Sequence, residues 1–343
     1  MGHVPRVRSE CHDRSVLVPA HPPLRPERAR GHLDRGGEGE RTPDGDGTRR
    51  RFPRLPGASG GVRVSAPGKK PGWLKVRAPS GERVDRVRTV LARNGLRTVC
   101  REALCPNVAE CWGAGTATVI LLGGICTRGC AFCSVAAGTP EAPDPKEPER
   151  VARAAAELGW RHVVVTSVTR DDLPDGGAGH FAMVTRALRR MAPEAAVELL
   201  VPDFAGDGNA LRTVVDASPD VLAHNVETVP RLYPVVRRGA DYARSIGLLW
   251  RASKMSPGLP LKSGIMVGFG ETEEEIADVF RDLFGAGVRS VTVGQYLPPT
   301  RNHLPVTEYV SPDRFAALAA VARAIGIPKV LSGPLVRSSY KPA

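Results

Sequence analysis

Apolar runs of strand length alternate with helical periods from Thr118 to Ile325, and this alternation constrains the fold of the chain more than any other feature. Alternation over such a distance predicts parallel strands joined by right-handed crossovers, which is an α/β fold. Six strand–helix units predict a partial, open (β/α)6 barrel of the TIM type rather than a closed eightfold barrel. The predicted strands are Thr118–Leu122, His162–Ser167, Val197–Val201, Val221–His224, Ser263–Val267 and Ser290–Gly294. The predicted helices are Glu147–Leu158, Gly179–Met191, Asn209–Asp216, Ala240–Ala252, Glu273–Phe284 and Pro312–Ile325.

The composition and the apolar periodicity of the sequence divide the chain into four regions. Residues 1–70 contain 9 Pro and 11 Gly without a helical or strand period, which predicts a disordered low-complexity extension. Residues 71–117 are predicted to form a helix over Val84–Arg93 and a cysteine-rich segment. Residues 118–325 are the predicted barrel, and residues 326–343 are a C-terminal tail expected to close over the cysteine-rich segment.

The first 60 residues also have the composition of translated upstream DNA of high GC content. The next methionine after Met1 is Met183, so another start would need a GTG codon, for which Val62 or Val64 is suitably placed. We expect the start to lie there, with a genuine disordered extension as the alternative. In either case residues 1–61 are expected to be dispensable for folding and activity.

The net charge of +12 is concentrated in the predicted extension, which holds 15 Lys+Arg and 8 Asp+Glu. The remainder carries only +5, and aromatic residues are 5% of the chain, so we predict no nucleic-acid partner. A modest basic face could still attract an acidic protein substrate. No run of eighteen apolar residues is present, which predicts no membrane span, and the first thirty residues lack a secretory signal pattern. We therefore expect a cytoplasmic protein, in which cysteines are metal or redox ligands more often than disulfides.

Cys126, Cys130 and Cys133 form a CxxxCxxC motif directly after the first predicted barrel strand. Three thiolates can hold three irons of a 4Fe-4S cube and leave the fourth iron without a protein ligand. S-adenosylmethionine (SAM) can chelate that iron and accept an electron, which gives a 5′-deoxyadenosyl radical. Zinc is the alternative, but zinc sites usually supply four ligands.

Cys100, Cys105 and Cys111 form a second triplet just upstream of the first. Three cysteines within twelve residues indicate a second cluster that lacks one local ligand, with structural zinc as the alternative.

The two triplets in tandem resemble the double-cluster signature of lipoyl synthases. The resemblance lies in CPNVAECW at residues 105–112 and GICTRGCAFC at residues 124–133. It continues in TSVTRDDLPDGG at 166–177, HNVETV at 224–229, KSGIMVG at 262–268, GQYL at 294–297 and GPLVRSSY at 333–340. The chain then ends at Ala343, whereas members of that family usually continue further.

The resemblance implies two 4Fe-4S clusters, one of them auxiliary, with Ser339 as the fourth ligand of the auxiliary cluster. It also implies a sulfurtransferase reaction in which an octanoyl chain on a lysine of a carrier domain receives sulfur at C6 and C8. Two SAM molecules are consumed, and the auxiliary cluster supplies the sulfur. Because a serine oxygen binds iron weakly, the corner of the cluster held by serine would open easily. The implied partners are octanoylated carrier domains, namely 2-oxoacid dehydrogenase E2 subunits and the glycine cleavage H protein. Flavodoxin or ferredoxin is the implied reductant.

Six further residues are predicted to bind the cofactor. Phe132 would shield the radical cluster, and Arg170 follows the second predicted strand, where a solvated charged turn is the alternative. Asn225 and Glu227 follow the fourth strand and could bind the ribose hydroxyls. Gln295 and Tyr296 end the sixth strand and could line the adenine or substrate cavity, with a core role as the alternative.

Two other functions compete with this interpretation. One is a different two-cluster radical SAM enzyme, similar to biotin synthase or a methylthiotransferase. The order of the triplets and the GPLVRSSY ending favour a lipoyl synthase. The other is a cluster- or zinc-bearing nucleic-acid binder, which the charge distribution disfavours.

Overall fold

A computed structural model describes residues 69–76 and 78–340. Within that part of the chain, eight strands form one sheet in the order β1-β2-β5-β6-β7-β8-β9-β10, and all neighbours are parallel except β1 and β2. A separate parallel pair, β3 and β4, lies in the cysteine-bearing loop after β2. The strands are β1 (Arg97–Thr98), β2 (Thr118–Leu121), β3 (Ile125–Cys126), β4 (Ala136–Ala137), β5 (His162–Ser167), β6 (Ala196–Leu200), β7 (Val221–Ala223), β8 (Leu261–Val267), β9 (Ser290–Gln295) and β10 (Lys329–Gly333).

The longer helices that connect the parallel strands cover the outside of the sheet. The helices are α1 (Glu82–Arg93), α2 (Val99–Glu102), α3 (Val108–Gly113), α4 (Glu147–Leu158), α5 (Ala178–Met191), α6 (Gly208–Asp216), α7 (Tyr233–Val236), α8 (Tyr242–Met255), α9 (Glu273–Gly285) and α10 (Pro312–Ile325). Local sequence explains several of their ends. Ser311 caps the first turn of α10 and Gly326 ends it in the left-handed region, while Thr272 and Glu275 form a capping box on α9.

The outward faces of the strands form the core. Val163, Val165, Val197, Leu199 and Leu222 are all 0% exposed, because every second strand residue points at the helices. The opposite face of the same strands lines the barrel interior and carries polar groups such as Glu198 and Thr292. The barrel interior is therefore the part of the fold where polar side chains are available for a reaction away from solvent.

The predicted partial (β/α)6 barrel is confirmed, and the structure adds one element to it. Lys329–Gly333 forms a seventh parallel strand beside β9, where the sequence predicted only a short tail. Gly264 lies in the middle of β8. An added Cβ at Gly264 would approach Thr292 and Asn225 within 3.0 Å, which explains the glycine better than a turn does.

The sheet is open between its edge strands, β1 and β10, and the cysteine-rich segment and the C-terminal tail meet there. Asn107 Nδ2 donates to the Leu335 carbonyl (2.7 Å), and Tyr340 Oη donates to the Glu110 carboxylate (2.8 Å). These two contacts join α3 and its N-cap to the tail.

The predicted extension over 1–70, apart from Lys69 and Lys70, lies outside the described residues, as do the expected start at Val62 or Val64 and the last three residues. The boundaries proposed at residues 117 and 325 stay predictions. Among residues 69–76 and 78–340, no helix has both the length and the apolar character needed to cross a membrane.

Candidate active site

Cys126, Cys130 and Cys133 lie in the loop that follows β2, at the carboxyl ends of the barrel strands. Cys126 is the last residue of β3, which pairs with β4 across the loop. The loop is also anchored to the barrel, since the Ala131 N–H donates to the Val236 carbonyl (2.9 Å) and the Thr127 N–H to the Thr169 carbonyl (3.0 Å). The structure thus places the CxxxCxxC motif at the end of the barrel where active sites of this architecture are found.

The chemistry of these three thiols fits an iron–sulfur cluster. Each is a free thiol and is partly buried. Burial raises the pKa of Cys130 to about 12 and that of Cys133 to about 11. Bound cations reverse this effect, because a coordinating thiol is deprotonated outright. In the described part of the chain, no group of three or more His, Cys, Asp or Glu side chains could hold a single metal ion. A cube places each thiolate on a different iron, so its ligands stand further apart than those of one ion.

An arginine clamp, formed by Arg128 with Asp171 and Asp203, holds the same loop. Arg128 makes a bidentate pair with Asp171 (2.6 and 2.7 Å), which follows β5, and a second pair with Asp203 (2.8 Å), which follows β6. The Asp203 side chain is 0% exposed. Burial would raise the pKa of the Asp203 carboxyl, but the hydrogen bond and charge of Arg128 outweigh it, and the pKa is lowered. Asp203 is therefore ionised and fixed against the loop.

Cys100, Cys105, Cys111 and Ser339 line one cavity of about 110 Å³ in the opening of the barrel. Thr118 and His162, at the starts of β2 and β5, form its inner wall. Burial raises the pKa of the Cys105 thiol, as at the other cysteine site. The structure thus brings the second triplet and the predicted serine together, at the opposite end of β2 from Cys126.

The tail reaches this cavity because Gly294 leaves room for it. A Cβ on Gly294 would lie 2.0 Å from the Val336 carbonyl oxygen, so only glycine permits the tail to cross β9 at this point. Arg337, next along the tail, lies close enough to Cys105 and Glu227 to interact with both electrostatically. The tail therefore places a buried positive charge near a cysteine of the second triplet and near Glu227.

Asn225 and Glu227 lie after β7, inside the mouth of the barrel. The Glu227 N–H donates to the Gly264 carbonyl (3.0 Å) and the Met266 N–H donates to the Glu227 carbonyl (2.8 Å), which holds Glu227 at a φ of 66°. Burial raises the pKa of Glu227. Asn225 Oδ1 is buried without a hydrogen-bond partner among the described residues. A buried acceptor of this kind is typical of a site that is completed by a ligand.

The other predicted cofactor contacts are engaged with the protein. The Arg170 side chain is 2% exposed and donates to Asp172 and to the Leu122 carbonyl. Gln295 Nε2 donates to three carbonyls and its Oε1 accepts from the Val310 N–H. Tyr296 donates to the Leu304 carbonyl and stacks on Phe269. Phe132 is partly buried against the core. Their contacts with SAM stay predictions.

Three groups of this site were not predicted from the sequence. Arg128 and Arg337 stand inside the quoted motifs without an assigned role, and Asp203 was not singled out. Its position at the carboxyl end of β6 was the available signal, because buried acids at strand ends of such barrels meet at one face.

Comparison with known proteins identifies the family. The model of the radical SAM superfamily matches residues 120–283. Lipoyl synthase from Methylococcus capsulatus is 55% identical over 280 residues, which cover 81% of this chain and 87% of that relative. Lipoyl synthase from Anaeromyxobacter dehalogenans is 56% identical over 277 residues, covering 80% of this chain and 94% of the relative. This chain belongs to the lipoyl synthase family.

Membership of the lipoyl synthase family decides between the functions left open by the sequence. The protein is a sulfur-inserting radical SAM enzyme of lipoate biosynthesis, and it uses a 4Fe-4S cluster and SAM. The interpretation as a biotin-synthase-like enzyme or a nucleic-acid binder is thereby set aside. Among solved structures, methylornithine synthase is similar with a TM-score of 0.47 and 15% identity, covering 76% of this chain and 85% of that chain.

Proposed function

We propose that this lipoyl synthase inserts sulfur at C6 and C8 of an octanoyl-lysine on a carrier domain, using two 4Fe-4S clusters with separate tasks. Cys126, Cys130 and Cys133 would hold the radical cluster. Cys100, Cys105, Cys111 and Ser339 would hold the auxiliary cluster as sulfur donor. The observation that carries the proposal is the shared cavity, because it unites three cysteines with a serine more than 200 residues away.

Different residues of the chain act at the two ends of the barrel. When bound, the clusters supply an electron for reductive cleavage of SAM and sulfur for the product. At the carboxyl end, the arginine clamp positions the radical loop, and Asn225 Oδ1 offers an acceptor to the nucleoside hydroxyls. At the other end, the tail lines the cavity of the auxiliary cysteines and would shield a cluster there from water.

The substrate reaches these groups as part of a protein. The family implies lipoyl-carrier domains, and we propose the E2 subunits of 2-oxoacid dehydrogenases and the glycine cleavage H protein as the carriers. Flavodoxin or ferredoxin is the proposed reductant, and the cytoplasm is the proposed compartment. The octanoyl chain would extend into the barrel interior, between the two cysteine sites.

Iron analysis of cysteine variants tests the assignment. Protein reconstituted anaerobically should hold about eight irons per chain, and joint replacement of Cys126, Cys130 and Cys133 by Ala should leave about four. This variant should not cleave SAM. Cys105→Ala should still form 5′-deoxyadenosine but give no thiolated product, because only the auxiliary site is damaged.

Cys11→Ala is the matched control, since Cys11 belongs to neither triplet and lies outside the described residues. It should keep both the iron content and the product. Purified protein that holds zinc and takes up no iron on reconstitution would refute the proposal. Normal sulfur insertion by Cys105→Ala would refute the role of the upstream triplet.

A further inference from the structure

The loop that joins Cys126 to Cys130 is tied to the β5 end by two consecutive side chains. Arg128 forms the bidentate pair with Asp171. Thr127 Oγ1 donates to the Thr169 carbonyl (3.0 Å) and accepts from the Asp171 N–H (3.1 Å). The turn from Thr169 to Asp171 is therefore held at both of its ends.

These contacts lead to the sulfur of Cys126. The Thr169 N–H donates to Cys126 Sγ (3.3 Å), and the Arg128 N–H donates to the same sulfur (3.4 Å). Thr169 and Asp171 share one short turn, so the pair that fixes Asp171 also fixes the direction of the Thr169 N–H. The side chains of Thr127 and Arg128, together with the Thr127 N–H bond to the Thr169 carbonyl, thus hold in place the two N–H groups that donate to Cys126 Sγ.

The clamp is shielded from water on its Asp203 side. The Arg128 side chain is 9% exposed and that of Asp203 is 0% exposed, whereas that of Asp171 is 36% exposed. The charge-assisted bidentate pair with Asp171 is directional as well as strong, and low solvent access strengthens the pair with Asp203. A lysine could keep the charge at position 128 but could not reproduce the planar fork.

We propose that Thr127 and Arg128 are positioning residues that set the reduction potential of the cluster held by Cys126, Cys130 and Cys133. This inference rests on the proposed function for the identity of that cluster. Hydrogen bonds to ligand sulfurs favour the reduced, more negative state of an iron–sulfur cluster and raise its potential. Loss of the Thr169 and Arg128 N–H donors from Cys126 Sγ therefore shifts the potential to more negative values.

The experiment is a redox titration followed by electron paramagnetic resonance. The background protein carries Cys100, Cys105 and Cys111 replaced by Ala, so that only the radical cluster gives a signal. Thr127→Val removes the hydroxyl without a change in charge, and Arg128→Lys removes the fork but keeps the charge. Both are expected to shift the midpoint potential to more negative values at unchanged iron content.

Two control variants separate positioning from general effects. Thr185→Val removes a buried hydroxyl that donates to the Phe181 carbonyl in α5, away from the cysteines, and should keep the background potential. Thr127→Ser restores the hydroxyl and should return the potential to the background value.

If either Thr127→Val or Arg128→Lys has the same midpoint potential as the background protein, the inference is overturned. In particular, a shift of the midpoint potential in Arg128→Met but not in Arg128→Lys would show that only the charge of residue 128 affects the potential. If the background protein itself binds no iron, the proposed function fails instead, so the two failures are distinguishable.

Discussion

At the scale of single residues, Gly294 controls whether the tail can reach the auxiliary cavity. An added Cβ would meet the Val336 backbone rather than a flexible side chain, so the tail must move. We expect Gly294→Ala to destabilise the tail contact by about 1–3 kcal/mol, the usual cost of overpacking. The variant should lose sulfur insertion and retain SAM cleavage, as measured by quantifying 5′-deoxyadenosine and thiolated product in one assay.

Gly285→Ala is the control for this change. Gly285 ends α9, and an added Cβ there would meet nothing within 4 Å. Equal product yields from Gly294→Ala and Gly285→Ala would contradict the role given to the tail crossing.

The sequence identifies some residues of the site and not others, for a physical reason. Both cysteine triplets are local in sequence, so their spacing alone predicts a metal site. The partners of Arg128 are not local: Asp171 and Asp203 follow two other strands, and only the strand order brings them to Cys126. Asn225, by contrast, could be placed at the barrel mouth because it directly follows a predicted strand.

At the scale of strands, β5, β6 and β8 share a buried charge network in the barrel interior. Lys262 Nζ donates to Glu198 Oε1 (2.8 Å) and His162 Nε2 donates to Glu198 Oε2 (3.1 Å). Burial would raise the pKa of Glu198, but the His162 hydrogen bond and the Lys262 charge outweigh it, and the pKa is lowered from its ordinary value of 4.5. The network therefore links three strands through one ionised carboxylate.

This network makes the stability of the fold depend on acid pH. A carboxyl whose pKa is lower in the folded state stabilises the fold above its unfolded value, and the contribution is lost as the pH falls through the folded value. Between about pH 5 and pH 3, the free energy of unfolding of the wild type should fall more steeply than that of Glu198→Gln. Urea titrations of the cluster-free protein across this range measure the difference.

Glu149→Gln serves as the comparison, because Glu149 pairs with Arg190 on the surface at 3.4 Å with half of its side chain exposed. Surface pairs of this kind contribute little. The network would have no role in acid stability if Glu198→Gln and Glu149→Gln gave the same pH dependence as the wild type.

Most helices and strands were predictable from the sequence, because their apolar residues recur with a clear helical or strand spacing. Glu147–Leu158 and Pro312–Ile325 have the predicted bounds, and β5 has the predicted bounds as well. β10 was missed because its sequence, KVLSG, is short and only partly apolar. Its strand conformation comes from pairing with β9, which is a tertiary effect that local propensity does not carry.

At the scale of the whole molecule, the tail acts as a cover on the opening of the barrel. Removal of residues 334–343 should leave the barrel folded, because the core lies between the strands and the outer helices. In cluster-free protein, alkylation of Cys105 should become faster on this deletion, since the tail forms one wall of its cavity. Alkylation of Cys130 and Cys133 should not change, and mass spectrometry of labelled peptides measures all three at once.

Cys130 and Cys133 are an internal control in the same sample, because the deletion should not change their alkylation. Unchanged alkylation of Cys105 after the deletion would show that the tail does not cover the auxiliary site. A uniform increase at all three cysteines would instead show that the barrel depends on the tail.

The contact between Asn107 and Leu335 has a consequence for how the enzyme is made. The two residues are 228 positions apart in the chain. At a synthesis rate of about 5–20 residues per second, roughly 10–45 s separate the emergence of the upstream cysteines from that of the tail that encloses them. During this interval the thiols are exposed to oxidants and to competing metal ions. The auxiliary site can be completed only after Ser339 has been synthesised, so the reducing power of the surroundings matters most while the chain is still on the ribosome.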